Sequence, residues 1–132
     1  MYILIWCALH FNLNGSEVTG INGAVVHWTY GAWDAIRMAK GRLFSNDARI
    51  HRQLINSAIT PTFRPLARWI RNLTLMFDHG FSARGERDDR LDRVEWGEEE
   101  AAPDNWNEDT LNNHITYERF MSAIGEGPQL DI

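Results

Sequence analysis

The prediction of fold class starts from residues 2–13, which have the sequence YILIWCALHFNL. Every second residue from Ile3 to Leu13 is apolar, and the residues between them become polar only near the end of the segment. Alternation with one fully apolar face is typical of a β-strand that is covered on one side. The segment is shorter than the roughly 20 residues of a membrane span. It also lacks the basic start and the small-residue cleavage site of a signal peptide. It therefore predicts an N-terminal strand.

Two Asn-Gly pairs continue this pattern, at Asn14-Gly15 and at Asn22-Gly23. Both residue types tolerate the positive φ of a type I′ turn, so Asn-Gly between extended segments is a strong signal for a β-hairpin. The segments after the two pairs, residues 16–21 and 24–28, would be the second and third strands. Residues 2–28 therefore predict a three-stranded antiparallel meander.

From residue 29 onward, apolar residues recur at the i, i+3 and i+4 spacing of helices. Three helices are predicted over residues 29–80. The first follows the apolar residues from Ala32 to Leu43, and the third ends near Gly80. The second covers about residues 46–58, with Ile50, Leu54, Ile55 and Ala58 on its apolar side.

The rest of the chain is predicted as a charged and acidic segment over residues 81–109 and a C-terminal helix over residues 108–124, with Asn107 as its N-cap. The predicted fold class is α+β, a small antiparallel sheet packed against about four helices. At 132 residues the chain is predicted to form a single domain over residues 1–132. A single cysteine, Cys7, excludes an internal disulfide framework, so a cytoplasmic protein is expected.

Charge is strongly segregated along the sequence. Residues 1–80 carry a net charge of +4 and residues 81–132 a net charge of −9, which gives −5 for the chain. Between Val94 and Glu118 there are eight carboxylates and two tryptophans but no lysine or arginine. Such segregation indicates a charged partner. The candidate partner-binding residues of this segment are Trp96, Glu98, Glu99, Glu100, Asp104, Trp106, Glu108 and Asp109.

The leading functional hypothesis is a non-enzymatic interaction protein with no cofactor. Its carboxylates would imitate a polyanion and dock on a basic surface of a protein partner, with Trp96 and Trp106 as apolar anchors. Nucleic-acid-handling machines carry such basic surfaces. The concrete form of the hypothesis is therefore an inhibitor or modulator of one, for example a virus-encoded antagonist of a host defence nuclease. The alternative that the acidic loop folds back onto the chain's own arginines stays open.

A second hypothesis is direct binding of nucleic acid through a row of arginines. At 100° per residue, the arginines of the third predicted helix share the side opposite its apolar stripe. The second predicted helix would extend the row, and such rows can follow phosphates. The residues are Arg49, Arg52, Arg64, Arg68 and Arg71.

Signals for an enzyme are weak. Asp88, Asp92 and Glu95 have helical spacing and could in principle hold a metal ion for a hydrolase. However, Arg84, Arg87, Arg90 and Arg93 are interleaved with them, which suits salt bridges better than a metal. Neither a nucleophile-elbow motif nor a phosphate-binding glycine loop occurs in the sequence. No catalytic or metal-binding residues are therefore assigned.

Overall fold

The computed structural model describes residues 1–12, 16, 20–45 and 48–125. Within these ranges the chain forms five α-helices and three short 3-10 helices, and it contains no strand. As far as these residues extend, no helix combines the length and the apolar character needed to cross a membrane. The α-helices are α1 (Tyr2–His10), α2 (Trp33–Gly41), α3 (Ala48–Ala58), α4 (Ala67–Glu95) and α5 (Tyr117–Ala123). The 3-10 helices are Val26–Trp28, Arg42–Phe44 and Pro61–Leu66.

The predicted α+β fold is wrong, because the described part of the chain has no sheet and the predicted first strand is helix α1. Both alternating sets of residues 2–9 are apolar, and periodicity cannot distinguish a buried strand from a buried helix in such a run. In the helix, Ile5, Ala8 and Leu9 form the buried face at i, i+3 and i+4. Ile3, which the strand prediction placed on the covered face, is 81% exposed.

The Asn-Gly pair at Asn22-Gly23 forms a turn that leads into a helix. The side-chain oxygen of Asn22 accepts a hydrogen bond from the amide of Ala24 at 2.9 Å, and its carbonyl accepts from the amide of Val25 at 3.1 Å. This Asx-turn directs the chain into the 3-10 helix Val26–Trp28 in place of the predicted third strand. The other pair, Asn14-Gly15, and residues 17–19 of the predicted second strand lie outside the described residues.

The chain divides into two compact units, an N-terminal unit (Met1–Thr74) and a C-terminal unit (Leu75–Ile132), with the boundary inside α4. In the N-terminal unit, α1 packs against α3 and against the 3-10 helix Pro61–Leu66. The prediction of a single domain stays a prediction. The core of the N-terminal unit consists of Ile5, Ala8, Leu9, Val25, Trp28, Leu43, Ile55, Ile59 and Ile70.

The C-terminal end of α1 is closed by polar groups from elsewhere in the N-terminal unit. The amide of Thr60 donates to the carbonyl of Ala8 at 2.9 Å, and its hydroxyl donates to the carbonyl of Phe11 at 2.8 Å. The amide of Asn22 donates to Nε2 of His10 at 3.0 Å, which leaves Nδ1 as the protonated nitrogen facing the carbonyl of Trp6 at 2.7 Å. The contact from Thr60 satisfies the carbonyl of Ala8, which the helix end leaves without an intrahelical partner, and together these contacts fix α1 in the core.

Gly80 does not end the third predicted helix, and α4 continues to Glu95. A Cβ atom at residue 80 would lie 2.9 Å from Cδ1 of Leu111 and 3.3 Å from Cβ of His114. Gly80 therefore permits the close approach of the segment around Leu111 to α4. Sequence alone cannot distinguish such a glycine from a helix stop.

The last helix begins at Tyr117, later than the predicted residue 108. Leu111, Asn112 and Asn113 have positive φ values of 44°, 55° and 67°, which interrupt a right-handed helix. Asn107 does cap a turn, because its side-chain oxygen accepts from the amide of Thr110 at 3.3 Å. The helix itself is capped by the hydroxyl of Thr116, which accepts from the amide of Arg119 at 3.2 Å.

Replacing Gly80 by alanine should destabilise the protein, whereas the same change at Gly85 should stabilise it. Both residues are inside α4, where alanine is favoured over glycine by about 0.5–1 kcal/mol. A Cβ at Gly85 meets no atom within 4 Å, so the full gain is expected there. At Gly80 the crowding against Leu111 and His114 should cost about 1–3 kcal/mol and outweigh the gain. Thermal unfolding of both variants measures the two changes in stability. Equal stabilisation of the two variants would contradict a close approach at Gly80.

Candidate functional site

The acidic segment starts at a well-defined helix end. Gly97 has a positive φ of 74°, and its amide donates to the carbonyl of Val94 at 3.1 Å. The amide of Glu98 donates to the carbonyl of Arg93 at 2.8 Å. These two bonds are those of a Schellman motif, in which a left-handed glycine ends the helix. The motif fixes the backbone of Trp96 and Glu98 relative to the last turn of α4.

Trp96 and two carboxylates near it are exposed and unpaired at this helix end. The side chain of Trp96 is 81% exposed. Glu98 and Glu100 are exposed, and neither forms an ion pair or side-chain hydrogen bond with any residue that the structure describes. The C-terminal end of a helix carries partial negative charge, so carboxylates there reduce stability. We call Trp96, Glu98 and Glu100 the Trp96 surface.

Other carboxylates of the segment pair with arginines of α4. Arg87 binds Asp104 through two nitrogens of its guanidinium, with Nε 3.2 Å from both carboxylate oxygens. Nη2 of Arg84 lies 2.9 Å from Oε1 of Glu108, and Nε of Arg93 lies 3.1 Å from Oε2 of Glu99. These contacts hold the segment from Glu99 to Glu108 along α4.

Trp106 is part of the same internal network. Its indole nitrogen donates to Glu108 at 2.7 Å, and the guanidinium carbon of Arg87 lies 5.6 Å from the centre of its ring. The side chain is half-buried, unlike that of Trp96. Trp106 therefore stabilises the segment through a cation–π contact and a hydrogen bond.

The Arg87–Asp104 pair changes the acidity of the carboxyl group. The hydrogen bonds and positive charge of Arg87 lower the pKa of Asp104 below its ordinary value of 3.8. About a quarter of the Arg87 side chain and a third of the Asp104 side chain are exposed. The pairing with Arg87 therefore favours the charged form of Asp104.

The eight predicted partner-binding residues thus fall into two groups. Glu99, Asp104, Trp106 and Glu108 contact α4 through their side chains. The side chains of Trp96, Glu98, Glu100 and Asp109 are exposed and form no ion pair or hydrogen bond with described residues. That the exposed group binds a partner stays a prediction. The organising role of Arg87 was not predicted. Its only sequence signal is the regular spacing of Arg84, Arg87 and Arg90, which predicts salt bridges but does not identify Asp104 as the partner.

Two arginines of the predicted nucleic-acid-binding row bind the protein's own backbone. The guanidinium of Arg52 donates to the carbonyl of Leu43 at 2.9 Å and 2.6 Å. That of Arg64 donates to the carbonyls of Asn56 at 2.7 Å and Ile59 at 3.0 Å, near the end of α3.

The remaining arginines of the row, Arg49, Arg68 and Arg71, are exposed. Arg64 lies in a 3-10 helix and Arg68 in α4, so a spacing of 100° per residue does not relate them. Nucleic-acid binding by the row stays a prediction.

The acidic residues considered for a metal site lie along α4. Among the residues that the structure describes, no group of three or more His, Cys, Asp or Glu side chains is arranged to hold a metal ion. Oδ1 of Asp88 instead lies 3.3 Å from Nη1 of Arg87, and Asp92 and Glu95 are exposed.

Replacing Arg87 by glutamine should raise the pKa of Asp104 toward its ordinary value. Because this pKa is lowered in the folded state, the pair stabilises the fold fully above the unfolded-state pKa, and that stabilisation is lost as the pH falls through the folded-state pKa. Arg87→Lys should give an intermediate pKa, since lysine keeps the charge but lacks the planar fork. Arg93→Gln is the matched control, because Arg93 pairs with Glu99. Carbon-13 NMR titration of the Asp104 carboxyl measures this, and an unchanged pKa in Arg87→Gln would contradict the pairing.

The geometry therefore combines a segment that is paired with α4 and an exposed, acidic, tryptophan-bearing helix end. Chemically, this arrangement offers an apolar anchor and negative charge, and the described residues near it include no arrangement of groups that could hold a metal ion. Comparison of the chain with protein-family models, with curated proteins and with solved protein structures found no match.

Proposed function

We propose that this chain is a non-enzymatic interaction protein that binds a basic surface of a protein partner through the Trp96 surface. The observation that carries the proposal is the 81% exposure of Trp96 at a fixed helix end, beside carboxylates that the described residues leave unpaired. Asp109 supplies a further exposed carboxylate in the C-terminal unit. Tryptophan is the residue type most enriched among those that dominate binding energy in interfaces.

The charges and the indole have different roles in this proposal. Burial of the Trp96 ring against the partner supplies affinity, because an exposed indole removes a large apolar area from water when it is covered. Glu98 and Glu100 attract a positively charged surface and set the association rate and the discrimination between partners. The placement of these carboxylates near a helix C-terminus reduces stability. Stability therefore does not account for their placement, which supports a role in recognition of a partner.

The internally paired group supports the same function by preorganisation. Asp104, Glu108 and Glu99 hold the segment to α4 through Arg87, Arg84 and Arg93. A segment that is already ordered loses less conformational entropy when it binds. In the finer form of the proposal, the partner is a nucleic-acid-handling protein of the cytoplasm, and the acidic surface competes with nucleic acid for its basic groove.

Replacing Trp96 by alanine should abolish capture of the partner, whereas replacing Trp33 should not. Trp33, at the start of α2, is a matched control. It is 76% exposed, but unlike Trp96 it does not belong to a surface with a group of unpaired carboxylates. Wild-type protein and both variants are used as bait in extracts of the native host, with and without nuclease treatment. We expect a basic protein that wild type and Trp33→Ala retain, and that Trp96→Ala loses, after nucleic acid has been digested.

Three outcomes would contradict the proposal. The first is that wild type and Trp96→Ala retain the same proteins. The second is that neither retains any protein. The third is that nuclease treatment releases everything that wild type retains, which would favour nucleic-acid binding through Arg49, Arg68 and Arg71.

Replacing Glu98 and Glu100 together by glutamine should raise the melting temperature slightly and slow association with the captured partner. The first effect follows from removing negative charge near a helix C-terminus, and the second from weaker electrostatic steering. We expect the association rate to fall roughly severalfold at low salt, and the difference to disappear at high salt. Glu86→Gln with Asp89→Asn is the control, since it removes the same charge from the interior of α4. Equal association rates for the two double variants would count against the Trp96 surface.

A further inference from the structure

The N-terminal unit contains a cleft that the proposed function does not use. Its volume is about 500 Å³, within the range of roughly 300–1,000 Å³ that is usual for small-molecule sites. The wall is formed by the turn at Asn22, the 3-10 residues His27 and Trp28, the C-terminal end of α2 with Arg42, and one side of α3 with His51 and Leu54. All of these residues belong to the N-terminal unit.

The charged and polar groups of the cleft favour an anion. Among the described residues that line it, Arg42 is positively charged and none carries a carboxylate. Arg42 is exposed and forms no ion pair with a described residue. Burial, and then the charge of Arg42, lower the pKa of His51 below its ordinary value, so its imidazole is neutral at pH 7. The cleft thus presents one free positive charge and a neutral imidazole.

Two ring nitrogens of the wall lack hydrogen bonds. Nε1 of Trp28 and Nε2 of His51 are covered by protein atoms, and neither has a partner among the residues that the structure describes. Trp28 is only 3% exposed, and its ring packs edge-on against Tyr2 with 5.1 Å between the ring centres. An indole N–H can only donate, and a buried donor without an acceptor is unfavourable. A ligand oxygen in contact with these nitrogens would remove that cost.

Asn22 contributes a donor whose orientation is fixed. Its side-chain oxygen accepts from the amide of Ala24, which identifies the other end of the amide as Nδ2. The wall also contains the apolar residues Ala39, Leu54 and Ala58. Polar donors and apolar residues together suit a ligand that has an anionic group and an apolar part.

We propose that this cleft binds a small organic anion, a carboxylate or a phosphate monoester joined to an apolar group. Arg42 pairs with the anionic group, the nitrogens of Trp28 and His51 contact its oxygens, and the apolar part lies against Leu54 and Ala58. This site is separate from the Trp96 surface and does not depend on the proposed function.

The proposal is tested with phenyl phosphate as the probe and phenol as its uncharged counterpart. In proton–nitrogen NMR spectra the indole N–H signal of Trp28, assigned with Trp28→Phe, should shift and saturate as phenyl phosphate is added. Phenol should bind at least about tenfold more weakly, because it lacks the charge-assisted hydrogen bonds. Titration with benzoate then distinguishes a preference for phosphate from a preference for carboxylate.

Arg42→Gln should weaken binding of phenyl phosphate about tenfold or more, and Arg37→Gln should not change it. Arg37 is the matched control because it lies in α2, is paired with Asp34 at 3.8 Å and does not line the cleft. Arg42 is exposed, and well-dispersed spectra of both variants verify that they fold. The proposal is overturned if neither phenyl phosphate nor benzoate shifts the Trp28 signal at millimolar concentration. Equal binding of phenol, or equal binding by Arg42→Gln and wild type, would overturn it as well.

Discussion

The fork between Arg87 and Asp104 is the contact on which the geometry of the C-terminal unit most depends. Arg87 contacts Asp104, Asp88 and the ring of Trp106, and that ring in turn donates a hydrogen bond to Glu108. Without it, the segment after Gly97 would carry several carboxylates with little to hold them against α4. A single exposed ion pair contributes little to stability, but a network that shares one guanidinium loses less entropy for each contact.

In the N-terminal unit the corresponding constraint is the burial of α1, and it explains the main error of prediction. Ile3 to Leu13 alternate perfectly, yet Tyr2, Leu4, Trp6 and Ala8 are apolar too, so the pattern is equally that of a buried helix. Later helices were easier to predict because their sequences include a polar side. Even so, Ile50 and Leu54 were expected to face inward on α3 and are 64% and 54% exposed, while Ile55 is buried.

The acidic composition of the candidate site could be predicted from the sequence, but the arrangement of its side chains could not. The lack of basic residues between Val94 and Glu118 identified the acidic segment, and glycine at 97 marks its start. The pairing of these carboxylates depends on arginines of α4 that are distant in sequence. Arg93 and Glu99 are 6 residues apart, and Arg84 and Glu108 are 24 residues apart. The cleft near Trp28 and His51 had no sequence signal, because its wall joins several elements that are separated along the chain.

The turn at Leu111, Asn112 and Asn113 has a consequence for the order in which the C-terminal unit folds. Three successive left-handed residues cost roughly 1–2 kcal/mol each when the side chain is not glycine, although asparagine tolerates this conformation better than leucine. Leu111 adopts it while buried beside Gly80. An isolated segment would relax to right-handed or extended backbone, so the turn requires a preformed surface. We therefore expect α4, which is stabilised by local contacts, to form first and to act as the template on which the turn closes.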